Sequence, residues 1–229
     1  MTPAATCDGP AARLVVVISG RGRNLEAIMD AIERGALNAR IVLVASNRAN
    51  AAGLRTARLA GLPTVAIQPH AFASREDFDR ALGARIDAER PDWVALAGYM
   101  RLLSSAFVQR FAGRLVNIHP SLLPHYKGLH THERVLAAGE HRHGASVHFV
   151  TDALDAGPVI RQGSIAVAAD DTPTRLADRL MQRVEQRIYP AALAELAAGR
   201  VRWHDGRVWR DGRPQEQCPH EDHDTDETT

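Results

Sequence analysis

Apolar residues along this chain come in short unbroken runs rather than in strict alternation. LVVVIS (14–19), IVLVAS (41–46), TVAI (64–67), WVALAG (93–98) and LVNIH (115–119) are such runs, with helical spacing between them at 25–34, 51–60 and 74–89. β-Branched runs separated by helices predict a parallel sheet buried on both faces, and hence an α/β, doubly wound, mostly parallel, Rossmann-like fold. After His143 the rhythm changes. Residues 144–151 and 159–168 read as strands joined by a segment holding Asp, Gly and Pro, which predicts a C-terminal antiparallel extension. A long helix is expected from about Thr174, with Leu176, Leu180, Val184 and Ile188 on one stripe. Residues 1–12 read as a disordered leader, 13–213 as a single domain and 214–229 as an acidic disordered tail without aromatics.

Composition narrows the function. The 229 residues are 45% apolar and 24% charged, which suits a globular domain with a real core. No apolar run approaches the ~18–20 residues that cross a bilayer, and the first run is too short for a secretion signal, so the expected location is the cytoplasm, with no membrane partner. Cys7 and Cys218 lie in the two ends of the chain, which leaves no disulfide framework and no cysteine zinc site. All 28 basic residues lie at or before Arg213; against them residues 1–214 hold 21 acids, a net +7 that favours an anionic small ligand. Nucleic acid is not expected, because the arginines are scattered and aromatics are only 5% of the chain. His130-x-His132, His141-x-His143 and His220-x-x-His223 have the spacing of metal ligands, but no acid or cysteine accompanies them in a zinc pattern, and no metal is expected.

Two segments carry chemistry. The first strand runs through Ser19-Gly20-Arg21-Gly22-Arg23-Asn24 into a helix, where glycines admit a close ligand and free N–H groups favour an anion. The third glycine of a dinucleotide fingerprint is missing, and Ser46-Asn47-Arg48 stands where an acid would close the second strand, so a phosphomonoester fits better than a dinucleotide. The fifth strand ends in Asn117-Ile118-His119-Pro120, and residues two apart face the same side, so an amide and an imidazole project together from the carboxyl end of the sheet. A carboxylate to orient that imidazole is available at Asp152 or Asp155, and spacing alone does not choose between them.

Longer motifs then accumulate in order: ISGxGxNL (18–25), SNR (46–48), FASRE (72–76), LAGYMRLLS (96–104), NIHPSLLP (117–124), GLHTH (128–132), HGASVHFVTDALDAGPVI (143–160) and ExxIYP (185–190). Together they resemble the folate-dependent formyltransferase superfamily over residues 14–209, in the branch that formylates the glycinamide amine of a ribose 5-phosphate. The resemblance implies a formyltransferase domain, 10-formyltetrahydrofolate as co-substrate, no metal, and small molecules as the only partners of a monomer or homodimer. It implies Asn117, His119 and Asp155 as the catalytic trio, with Asp155 preferred to Asp152. Gly22, Arg23, Asn24, Pro120, Gln182 and Glu185 match contacts to the ribonucleotide. Arg75, Met100, Arg101, Leu102 and Leu103, with Asn117, match the folate side, and Ser146 matches a supporting position. Relatives that deformylate the folate or formylate a tRNA carry a further domain, for which the short flanks here leave no counterpart. A non-catalytic folate- or phosphate-binding module of the same fold is the remaining alternative, disfavoured by the presence of the whole trio.

Overall fold

The computed structural model describes residues 9–224. Its strands are β1 (Ala12–Ile18), β2 (Ala39–Ser46), β3 (Thr64–Ala66), β4 (Trp93–Leu96), β5 (Leu115–His119), β6 (Arg142–Phe149), β7 (Val159–Ala166), β8 (Val201–His204), β9 (Arg207–Arg210), β10 (Arg213–Pro214) and β11 (His220–Asp222). The helices are α1 (Arg23–Glu33), α2 (Ala52–Leu59), α3 (Arg75–Asp87), α4 (Ser105–Arg110), α5 (Thr131–Ala137), α6 (Pro173–Leu180) and α7 (Gln186–Ala197). Eight strands form one sheet in the order β11-β7-β6-β5-β4-β1-β2-β3, and β10-β9-β8 form a small antiparallel sheet. β1 to β5 pair in parallel, and β6 enters antiparallel between β5 and β7. The doubly wound sheet and its antiparallel extension are therefore as expected.

Period-two geometry explains why the apolar runs are unbroken. In β1, Leu14, Val16 and Ile18 join the core layer under α1 and α7, whereas Val15 and Val17 join the layer with Phe78, Leu82 and Phe107 of α3 and α4. Each strand needs two apolar faces because helices cover both.

The long helix departs from expectation in its middle, where Met181–Glu185 is a π turn between α6 and α7. Residues spaced by four drift about 40° per step around an α-helix, so Leu176, Leu180, Val184 and Ile188 would spread over about 120° of a regular helix. The wider turn takes up the drift, and all four are fully buried. It also carries Glu185 inward beside Val184, and this carboxyl is buried.

The acidic tail corrects a second expectation. Residues 220–222 are not disordered but form β11, parallel to β7 with His220 opposite Gln162. Composition argued for disorder, yet Arg142 ion-pairs with Asp222 and with Asp224 at 2.7 Å, and Arg161 pairs with Glu221. Opposite charge on the sheet edge supplies what apolar content lacks. Residues 1–8 of the expected leader, with Cys7, and residues 225–229 lie outside the described residues. Ala12 already belongs to β1.

Candidate active site

At the carboxyl ends of β4 and β5 the chain opens a cavity of about 630 Å³, lined on one side by residues 98–103 and on the other by 128–133 and 150–155. Asn117, His119 and Pro120 form its floor, with Asp155 in its wall. Strand alternation aims Asn117 and His119 into the same space, as their spacing predicted.

Asp155 reaches them from a loop that leaves β6, holding a left-handed backbone at φ 44°. Its Oδ2 lies 3.4 Å from His119 Nδ1 and accepts a hydrogen bond from the Gly128 N–H at 3.0 Å. One carboxylate thus ties the 151–158 loop to the 125–130 loop. Asp152 is exposed and makes no such contact. The other ring nitrogen of His119, Nε2, lies 3.0 Å from the Tyr126 carbonyl, to which it donates. That bond assigns the tautomer: Nε2 carries a proton, and Nδ1 is the nitrogen that faces Asp155.

His148 is a site residue that sequence reasoning missed. It pairs with Asn117 across β5 and β6, and Asn117 Nδ2 lies 3.2 Å from its Nε2. His148 Nδ1 donates to the Phe149 carbonyl at 2.9 Å, so in the neutral ring Nε2 is bare and accepts the Asn117 amide proton. Burial pushes the His148 pKa down, against the opposing pull of Asp155, and so favours that neutral ring. The Asn117 amide is thereby fixed with its second N–H free. Only the β5–β6 register reveals this pairing; the nearest sequence signal was the strand assignment itself.

The folate-side candidates divide. Met100, Arg101, Leu102 and Leu103 line the cavity, with Met100 and Leu102 more than half exposed into it. Arg101 lies over the Phe78 ring at 5.0 Å. Arg75 lies on the exposed first turn of α3 beside Glu76 and does not line the cavity.

Of the ribonucleotide candidates, Pro120 lines the cavity, while Gly22, Arg23, Asn24 and Glu185 form a second cluster outside its lining. Gly22 caps α1 in the left-handed region at φ 84°, with its Cα packed so tightly on Gly53 that a Cβ would lie 2.8 Å from the Gly53 Cα. Asn24 is buried, and its Nδ2 donates to Glu185 Oε2 at 2.8 Å, while its Oδ1 has no hydrogen-bond partner among the described residues. Burial raises the Glu185 pKa, with Asn24 and then Arg23 opposing it. Arg23 pairs with Asp178 at 2.7 Å, and Gln182 is exposed on the π turn, outside this cluster. Ser19 welds the two halves together: its hydroxyl donates to Asn47 Oδ1 at 2.7 Å and accepts the Met100 N–H at 2.9 Å. An anion on the α1 end and a flat ligand against residues 100–103 would therefore share one rigid frame.

Two neighbouring histidines, the first of them in the cavity wall, titrate low. His132 Nδ1 and His143 Nε2 lie 3.0 Å apart, sharing one proton, and burial lowers both, His143 to about 3. Between about pH 6.5 and that value the unfolded chain takes up a proton that folded His143 refuses. Stability therefore falls as pH drops below ~6.5, by about 1.4 kcal/mol per pH unit from His143. We expect the urea midpoint to fall on acidification from pH 7 to about 5 and His143→Gln to flatten that slope; an unchanged slope would contradict the assignment.

Comparison with known proteins settles the lineage. The sequence model of the formyl transferase family matches residues 12–193. This chain belongs to that family. The chain is 50% identical over 200 residues to the phosphoribosylglycinamide formyltransferase of Escherichia coli (strain K12), covering 87% of this chain and 94% of that one. The solved phosphoribosylglycinamide formyltransferase of Coxiella burnetii superposes with a TM-score of 0.86 at 49% identity, over 92% of this chain and 98% of that one. A formyltetrahydrofolate deformylase from Pseudomonas syringae superposes at 0.80 with 25% identity, but only 67% of its length is covered. The cavity thus belongs to a formyltransferase fold. Among the described residues no group of three or more His, Cys, Asp or Glu is arranged to hold a metal, and no helix is long and apolar enough to cross a membrane.

Proposed function

We propose that this chain transfers the formyl group of 10-formyltetrahydrofolate to the amine of 5-phosphoribosylglycinamide (GAR), yielding formyl-GAR in de novo purine synthesis. The observation that carries this reading is the convergence of Asn117, His119 and Asp155 on a cavity whose frame, through Ser19, also holds the α1 phosphate loop. The match to phosphoribosylglycinamide formyltransferases along nearly their whole length supports it.

In this reading the amine nitrogen bonds to the formyl carbon, the bond from that carbon to N10 breaks, and the amine proton ends on N10. Negative charge develops on the formyl oxygen. The free N–H of Asn117 donates to it, and His119, once Nε2–H turns from the Tyr126 carbonyl, donates as well. Asp155 orients His119 through its Nδ1 and carries the proton toward N10 through water. The apolar slot at 100–103 and 154 takes the pterin, with main-chain groups reading its edge. Arg75 serves the negative tail of the folate, and Gln182 and Pro120 complete the ribonucleotide contacts. The enzyme works in the cytoplasm on small molecules, as a monomer or homodimer, without a metal.

An assay with both substrates, following folate absorbance, tests this. Turnover that requires GAR supports transfer; folate loss without GAR supports a deformylase, and no reaction supports a binding module. Glu185→Ala should raise the KM for GAR roughly tenfold to a hundredfold, the worth of a hydrogen bond to a charged group, with kcat nearly unchanged. Glu185→Gln, which preserves the Asn24 bond, should lose less. A fall in kcat at constant KM would remove Glu185 from the substrate contacts.

A further inference from the structure

We infer that the C-terminal strand β11 and the side chain of Gln162 brace the loop that follows His119, so that residues 219–224 set the rate of a site they do not touch. The inference rests on the transferase reading for its kinetic test only.

The loop from Pro120 to Tyr126 carries the carbonyl that meets His119 Nε2, so its position decides how the imidazole is held. Its bonds run away from the cavity. Ser121 Oγ donates to the His125 carbonyl at 2.7 Å, and the Leu123 N–H donates to Ser146 Oγ at 3.0 Å. Ser146 Oγ in turn donates to the Ser121 carbonyl at 2.7 Å. Behind them stands Gln162, whose Nε2 donates both to the Leu123 carbonyl and to Ser146 Oγ, each at 2.8 Å. Loop and strand are thus joined through one buried hydroxyl and one amide.

Gln162 lies in β7, which would be the edge of the sheet without β11. β11 supplies the missing partners: the Gln162 N–H donates to the Pro219 carbonyl at 2.9 Å, and the His223 N–H donates to the Ser164 carbonyl at 2.9 Å. Side chains fasten the strand on both sides of that point. Arg161 pairs with Glu221 and with Glu195 at 2.8 Å, Arg142 pairs with Asp222 and with Asp224 at 2.7 Å, and His220 Nε2 meets Ser164 Oγ at 2.8 Å. An unpaired edge strand frays, and its side chains lose their fixed directions. Removing β11 would free the backbone of Gln162 and loosen its grip on Leu123. None of residues 219–224 lines the cavity, and all lie beyond the family match ending at 193, so their influence must pass through β7.

The test compares the full chain with a chain ending at Cys218, with Gln162→Ala and with both changes together. Each single change should lower kcat about 3- to 10-fold, the worth of one or two hydrogen bonds, with both KM values nearly unchanged. The combination should be no slower than Gln162→Ala alone, because both break one connection. Hydrogen exchange at the Leu123 amide should quicken in every variant, a readout that needs no activity. Should circular dichroism show the shortened chain unfolded, Arg142→Ala, which removes the partner of Asp222 and Asp224, takes its place with the same expectations. Wild-type kcat and exchange in the shortened or Arg142→Ala chain, or losses that multiply in the combination, would overturn the inference. An inactive full chain would sink the transferase reading while the exchange experiment still decides the brace.

Discussion

Replacing His119 with alanine lowers turnover by roughly 10²- to 10³-fold, and Asp155→Asn lowers it by a similar factor, while folate affinity stays essentially unchanged. The reason lies in where these groups point. His119 lies in the floor of the cavity and Asp155 contacts its Nδ1 at 3.4 Å, whereas the surfaces proposed to cover the pterin are residues 100–103 and Leu154. In the proposed reaction the polar pair acts on charge that develops only as the formyl group moves, so its loss should spare the bound ground state. Steady-state kinetics with equilibrium folate binding checks this. A parallel loss of affinity in both variants would make the pair a binding element instead.

The second large effect falls on stability and activity together, at Gly157. A Cβ there would lie 1.8 Å from the Phe149 carbonyl oxygen and 2.8 Å from its carbon, both backbone atoms that cannot give way. Phe149 is fixed in turn, since its N–H donates to the Pro158 carbonyl at 3.0 Å. Gly157→Ala must therefore lift the base of the loop that carries Asp155, two residues earlier. Overpacking of this kind costs about 3 kcal/mol, which in a chain of this size lowers Tm by roughly 6–12 °C. Turnover should fall about 10²-fold as Asp155 leaves His119. Gly83→Ala is the control. The nearest atoms to its added Cβ belong to the flexible Arg110 side chain, at 3.4 Å in mid-helix, and it should leave both quantities unchanged or raise Tm slightly. Equal Tm values for the two variants would show that the loop base is not rigid.

Much of the frame was legible before the structure. Unbroken runs such as 14–19 announce strands covered on both faces, and Asn117 and His119 share a direction because any strand alternates. What stayed hidden depends on register and on distant pairing. His148 opposes Asn117 only because β6 runs antiparallel in one particular register, and a slip of one residue would turn it away. The approach of Asp155 needs a left-handed residue and the Gly128 N–H, neither visible in spacing; only likeness to other proteins separated it from Asp152. The π turn hid inside an ordinary helical pattern, though the repeated four-residue stripe was its trace. Strand β11 hid because low hydrophobicity argues for disorder, while its partners Arg142 and Arg161 lie more than fifty residues away. The short helices α4 and α5 and the small sheet β8–β10 gave runs too brief to read.

The trio is held to act as one device on the moving formyl group. Single-turnover rates of His119→Ala, Asp155→Asn and the double variant, at saturating folate and GAR, test that claim most directly. The double variant should be no more than a few-fold slower than the slower single variant, because a carboxylate that works only through the imidazole has nothing left to orient. A double variant slowed by the product of the two single losses would contradict the account, since the two side chains would then be acting independently.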